Sequence, residues 1–158
     1  MKRRVVITGM GIYSCLGKNL DEVSDALYNG KSGIILDRDR KEMGFRSGLT
    51  AYLELPNLKG ILSRNQRVNM AEQGCYAYLA TVEALKNAKL EQDYPDTHEV
   101  GILYGNDSCA EPVVESVDIM REKKDTTLIG SGSIFKSMNS TVSMNLSCIF
   151  KLKGINLT

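Results

Sequence analysis

Apolar positions along this chain fall into two patterns: short unbroken runs, and longer stretches that recur every three or four residues. The first suits buried strands and the second suits helices with one buried face. The run Val5-Val6-Ile7 is β-branched and closes at Gly9, which predicts a strand over Arg4–Thr8. Glycines at 9, 11 and 17 then mark a turn. Asn19, followed three residues later by Glu22, has the form of a helix start. Leu20, Val23 and Leu27 share one face of that helix, and Gly30 ends it. Strand, glycine turn and helix in that order open an α/β layer fold.

Residues 31–62 are irregular and mixed in charge, and Asp37–Glu42 reads as a solvated loop or a short helix. From Arg64 to Ala88 the spacing predicts one long helix, with Val68, Ala71, Cys75, Leu79, Val82 and Leu85 on its apolar face. Gly74 inside it implies close packing against another element, since glycine costs a helix about 1 kcal/mol against alanine. Val100–Tyr104 predicts a second buried strand, and Gly105-Asn106-Asp107-Ser108 turns out of it. Pro112 is well placed near the start of a helix carrying Val113, Val114 and Val117. Asp125–Ser133 is a Gly/Ser/Thr loop. Asn139 or Ser140 opens a helix with Val142, Leu146, Ile149 and Phe150 on one side, and Gly154 closes it. Ile155–Thr158 reads as a third strand beginning as the chain ends. The expectation is that the three strands share one sheet. No internal repeat or low-complexity tract interrupts the chain.

Composition narrows the class. The chain has 158 residues, suited to one domain with a sizeable core. Lys and Arg total 20 against 19 Asp and Glu, a balance that argues against a nucleic-acid binder held by bulk charge. The cysteines, at 15, 75, 109 and 148, are widely spaced and form no C-x-x-C, so neither a zinc ribbon nor a disulfide framework is expected. Reduced thiols in a soluble cytoplasmic protein are the plain reading. No run approaches a membrane span, and the basic start is followed by too short an apolar stretch for a signal peptide.

Candidate chemistry is sparse. Gly9-Met10-Gly11 after a strand invites a dinucleotide reading, but Ser14 stands where the third glycine belongs, and Asp37 and Asp39 follow no clear second strand. Glycines serving a tight strand-to-helix turn explain the same residues. His98 is the sole histidine, in a loop, so no paired-histidine site or histidine-rich metal site can be built from this chain. Cys75 and Cys148 fall mid-helix and are expected to pack, whereas Cys15 and Cys109 lie beside strand ends and are better placed for chemistry. Arg64 and Arg67, and separately Arg121, Lys123 and Lys124, form basic groups that suit either a solvated face or a dock for an acidic partner.

The run Arg4-Val5-Val6-Ile7-Thr8-Gly9-Met10-Gly11-Ile12-Tyr13-Ser14-Cys15-Leu16-Gly17 resembles the opening of β-ketoacyl-acyl-carrier-protein synthases, the elongating condensing enzymes of the thiolase fold. Gly30-Lys31-Ser32-Gly33-Ile34, Val100–Gly105, Asn145-Leu146 and Phe150–Gly154 resemble later family segments in the same order. Cys15 departs from the proline that relatives often carry.

The resemblance implies an α/β fold: the N-terminal part of a thiolase-like layered α-β-α-β-α arrangement, with a mixed and incomplete sheet over residues 1–158. It implies a parent enzyme whose cysteine takes an acyl chain from a carrier protein as a thioester. That enzyme joins the acyl group to malonyl-carrier protein with loss of carbon dioxide, and needs no metal or redox cofactor. The nucleophilic cysteine is expected about five residues beyond Thr158, at a helix N-terminus that favours the thiolate. No catalytic residue is assigned within this chain, and none of Cys15, Cys109 or His98 aligns with a catalytic position. The chain alone is expected to be inactive. Ser108 and Met138 fall at acyl-pocket positions, where Ser108 implies a narrower or more polar pocket. Arg64, Arg67, Lys123 and Lys124 fall where relatives dock the acidic acyl carrier protein, with Asn65 in place of a commonly basic residue. A homodimer, or a heterodimer with a related subunit, is implied. Two other readings stand beside this one: a chain-length-factor-like partner without a nucleophile, and a nucleotide-binding α/β domain.

Overall fold

A computed structural model describes residues 4–107 and 109–158. Along the chain run α1 (Leu20–Tyr28), β1 (Ile34–Leu36), α2 (Arg38–Glu42), β2 (Leu49–Ala51), α3 (Arg64–Val68), α4 (Glu72–Asn87), α5 (Tyr94–Thr97), β3 (Ile102–Leu103), α6 (Glu111–Lys123), α7 (Ser133–Ser137), α8 (Thr141–Phe150) and β4 (Asn156–Leu157). The residues group into two units. One holds the segment up to Leu55 together with Leu79–Leu90; the other holds Pro56–Tyr78 and Glu91–Thr158.

In the first unit, α1 starts as its sequence dictates. The Asn19 side chain accepts from the Glu22 amide, and Glu22 accepts in return from the Asn19 side-chain amide at 2.9 Å. Val23 and Ala26 are buried, while Leu27 of the expected face is exposed. Gly30 follows with φ of +62°, a conformation that favours glycine. An unforeseen antiparallel hairpin comes next: β1 pairs with β2 in the register Ile34↔Ala51, Ile35↔Thr50 and Leu36↔Leu49. Helix α2, capped by the Asp37 side chain, lies inside the hairpin connection, and the Arg40 guanidinium covers the Phe45 ring at 4.5 Å.

The expected strand at Arg4–Thr8 does not form. Val5 is 96% exposed and no strand is assigned there, although the run has high β-propensity. Propensity becomes a strand only when an edge is present to pair with. The glycines that follow are nonetheless used tightly. A Cβ on Gly11 would stand 2.0 Å from the Ala80 carbonyl oxygen, and one on Gly9 would stand 2.4 Å from that of Ala84. Residues 9–11 thus lie directly on Ala80 and Ala84 of α4 and on Ala88 just past its end.

The long helix expected from Arg64 to Ala88 is two helices, α3 in the second unit and α4, whose residues from Leu79 on belong to the first. Helix α3 has a full capping box between Ser63 and Gln66 and ends at Asn69. Asn69 is occupied by tertiary contacts: its carbonyl accepts from the Asn145 side chain at 3.3 Å, and its side-chain oxygen faces Gly132. The periodicity continues across the break because Met70 and Ala71 are buried as well. The nearest atom a Cβ on Gly74 would meet is on the Met70 side chain at 3.7 Å, an ordinary distance, so the close crossing expected there is absent. The core of the second unit centres on α8, where Val142 and Leu146 are 0% and 1% exposed. Tyr78 stacks on Phe150 with centroids 5.7 Å apart. Helix α8 ends at Lys151, which takes the left-handed conformation at φ of 55°, rather than at Gly154. Gly154 instead lies against the Val100 backbone. Strands β3 and β4 pair in parallel, Ile102↔Asn156 and Leu103↔Leu157. Two of the three expected strands therefore join one sheet, separate from the β1–β2 hairpin. Among the described residues no helix is long and apolar enough to cross a membrane.

Candidate functional site

The segments implied as an acyl pocket are the turn leaving β3 and the link between α7 and α8. Ser108 lies outside the described residues. Asn106, two places earlier, donates its side-chain amide to the Asn139 carbonyl at 2.8 Å. Asn139 directly follows Met138, so one hydrogen bond brings the two segments together. The sequence placed Asn106 in the turn after the strand and Asn139 at a helix start, but gave no sign that the two would meet. Met138 caps the end of α7 with extended backbone and is 45% exposed. Phe135, one turn earlier, is also exposed, and its carbonyl accepts from the Thr141 hydroxyl. The result is an apolar pair, Phe135 and Met138, carried on a short helix that is tied to the start of α8.

The basic residues form two groups. Arg64 is exposed on α3, and Arg67 is half-buried with its Nε donating to the Leu62 carbonyl at 3.1 Å. Lys123 ends α6 in an ion pair with Glu122, and Lys124 takes a left-handed cap conformation at φ of 53°. The segment after Lys124 returns to the end of α3, where Gly132 meets Asn69.

Several of the remaining reactive side chains are occupied structurally. His98 stacks on Tyr94 at 4.1 Å, and its Nδ1 lies 2.9 Å from the Thr97 hydroxyl. Burial pushes the Cys75 thiol up, with Glu72 adding and Lys136 opposing, so the thiolate is scarce at neutral pH. Cys15 is half-buried with its sulfur against Gly33. Cys109 is half-buried, and Cys148 is exposed rather than packed as its helical position suggested. Among the described residues no three His, Cys, Asp or Glu side chains gather as metal ligands. Gly9 and Gly11 serve the approach to α4, which accounts for both glycines of the dinucleotide-like turn without a phosphate.

One polar cluster was not legible in the sequence. Ser143 is 1% exposed on α8, and its hydroxyl lies 2.5 Å from that of Thr158. One turn along α8, the Ser147 hydroxyl accepts from the Asn156 side chain at 2.9 Å. Asn156 also reaches the Ser143 carbonyl at 3.4 Å.

Comparison with known proteins gives a consistent result. The family described as "Beta-ketoacyl synthase, N-terminal domain" matches residues 2–158. The chain is 34% identical over 156 residues to 3-oxoacyl-(acyl-carrier-protein) synthase 1 of Buchnera aphidicola subsp. Schizaphis graminum, covering 98% of this chain and 38% of that protein. It is 32% identical to the synthase 1 of Escherichia coli K12, with the same coverage of each. The chain thus spans well under half the length of these relatives. A crystal structure of a β-ketoacyl synthase from Burkholderia phymatum STM815 superposes with a TM-score of 0.84 at 28% identity, over 99% of this chain and 39% of that one. The ishigamide ketosynthase/chain length factor shares the fold at a TM-score of 0.85 and 19% identity, over 100% of this chain and 40% of that one.

Proposed function

Because the chain belongs to the β-ketoacyl synthase N-terminal domain family, we propose that it forms the first part of a 3-oxoacyl-(acyl-carrier-protein) synthase. The family match across nearly the whole chain carries this reading. In it, the complete enzyme accepts an acyl group from a carrier protein onto a cysteine about five residues beyond Thr158, at a helix N-terminus where the thiolate is favoured. Decarboxylation of malonyl-carrier protein then supplies the carbanion that attacks the thioester, giving a 3-oxoacyl product two carbons longer. Preorganised donors stabilise the charge that develops. These 158 residues supply scaffold and recognition rather than the reacting groups.

Within that division of labour, Met138 lines the acyl pocket, and the Asn106–Asn139 hydrogen bond holds its wall against the turn leaving β3. Arg64, Arg67, Lys123 and Lys124 receive the acidic carrier protein. The enzyme works in the cytoplasm as a dimer; four free cysteines agree with a reducing setting. No cofactor enters the scheme.

The test is to express the full gene product and follow 3-oxoacyl-carrier-protein formation from acyl- and malonyl-carrier protein. The full product is expected to condense, and the 158-residue chain alone is not. A full product that neither self-acylates nor condenses, with an inert side chain in place of the expected cysteine, would replace this reading with the chain-length-factor-like one.

A further inference from the structure

Strand β4 is held to α8 by matched polar spacings. Asn156 and Thr158 are two apart on an extended segment, so they face the same side about 6.6 Å apart. Ser143 and Ser147 are four apart on α8, so they share a face about 6 Å apart. The two repeats coincide: the Thr158 hydroxyl meets that of Ser143, and the Asn156 amide meets the Ser147 hydroxyl while also reaching the Ser143 carbonyl. The Ser143 hydroxyl also donates to the Ser140 carbonyl at 3.2 Å, which leaves the Thr158 hydroxyl as the donor toward Ser143. Between them, Leu157 turns the other way and is exposed.

Apolar contact alone would hold the strand near α8 but would tolerate sliding. Hydrogen bonds to a hydroxyl as enclosed as that of Ser143 do not, because a shift along the strand takes the Thr158 donor away from the buried Ser143 oxygen and the Asn156 donor away from Ser147. The pairing fixes the position of β4 along its own axis and the direction in which the backbone leaves Thr158.

We propose that Ser143, Ser147, Asn156 and Thr158 form a clasp that positions the acyl-accepting cysteine of the complete enzyme. The inference rests on the condensing-enzyme reading above and adds four positioning residues to it. None of them touches substrate. They act by holding the strand from which the nucleophile's turn departs.

The experiment uses the full-length protein and the substitutions Thr158→Val, which keeps shape and removes the hydroxyl, and Thr158→Ser, which restores it. Three quantities are read: the pH profile of thiol alkylation by iodoacetamide, kcat and KM for condensation, and the thermal midpoint. Thr158→Val is expected to lower the alkylation rate and kcat about tenfold, since small displacements of a reacting group carry penalties of this order or larger. KM stays within about twofold, the midpoint within a few degrees, and Thr158→Ser recovers most of the rate. Wild-type rates in Thr158→Val overturn the clasp while leaving the proposed function standing. So does a loss accompanied by a large fall in thermal midpoint that serine does not repair. A wild-type protein with no reactive thiol and no condensation overturns both.

Discussion

Gly11 shows how much a single hydrogen atom decides. With a backbone oxygen 2.0 Å from the position of a Cβ, alanine at this site must push α4 away or open the turn. Gly11→Ala is expected to cost about 3 kcal/mol or more, read as a lowered denaturant midpoint. Glu83 acts beside it: one carboxylate oxygen accepts from the Ile12 amide at 2.8 Å and the other from the Leu20 amide at 2.8 Å. Glu83→Ala removes both acceptors and is expected to destabilise by about 1–3 kcal/mol. Lys151 runs the opposite way. Its left-handed cap conformation strains any residue with a Cβ, so Lys151→Gly is expected to stabilise by about 0.5–1 kcal/mol after the greater unfolded freedom of glycine is deducted. Equal midpoints for wild type and Lys151→Gly would refute that. Asn19, Glu22 and Pro112 were legible one residue at a time because a cap is a local bond. Glu83 was not legible, since a surface glutamate in a helix gives no sign of which distant amides it will receive.

At the level of elements, α6 carries a pH-dependent weakness at its start. The Glu111 carboxyl is pushed up, first by burial and then by Glu72 and Glu115, with Lys136 pulling against them. A carboxyl raised on folding favours the protonated form, so its contribution is present below the ordinary carboxylate pKa and is lost as pH rises through the folded value. Glu111→Gln is therefore expected to raise the thermal midpoint at pH 7 and to leave it nearly unchanged near pH 4. An equal gain at both would mean the effect is steric. The same element was readable from Pro112 and its valines, and α8 from Val142 and Leu146. The α3–α4 break was hidden because Met70 and Ala71 continue the apolar period while Asn69 leaves the helix for partners far along the chain. The β1–β2 hairpin was masked by the charged α2 in its connection, although Ile34, Ile35 and Thr50 are good strand formers. Val5–Ile7 erred in the other direction, with the composition of a strand and no paired edge.

Across the whole molecule, apolar exposure is unusually broad. Leu103 on β3 and Ile155 just before β4 are 81% and 71% exposed. Such surface normally marks an interface, and the isolated chain is expected to bind a hydrophobic dye and to associate as its concentration rises. A monodisperse, dye-silent chain at high concentration would contradict this. Charge at the surface is more specific. If the proposed carrier-protein docking holds, replacing Arg64 and Lys124 by glutamate in the full-length protein is expected to raise KM for carrier-bound substrates and to flatten its salt dependence, with little effect on kcat. The family was readable from the order of its segments, whereas the positions of Ser143 and Asn156 depended on a register that only the three-dimensional arrangement supplies. The opening turn also has a kinetic meaning. Its closing bonds, from Met10 to Asn87, Ile12 to Glu83 and Leu20 to Glu83, span 77, 71 and 63 residues. This turn must therefore wait for a helix that lies more than 60 residues further along the chain, and this corner of the molecule is set among the last events of folding rather than the first.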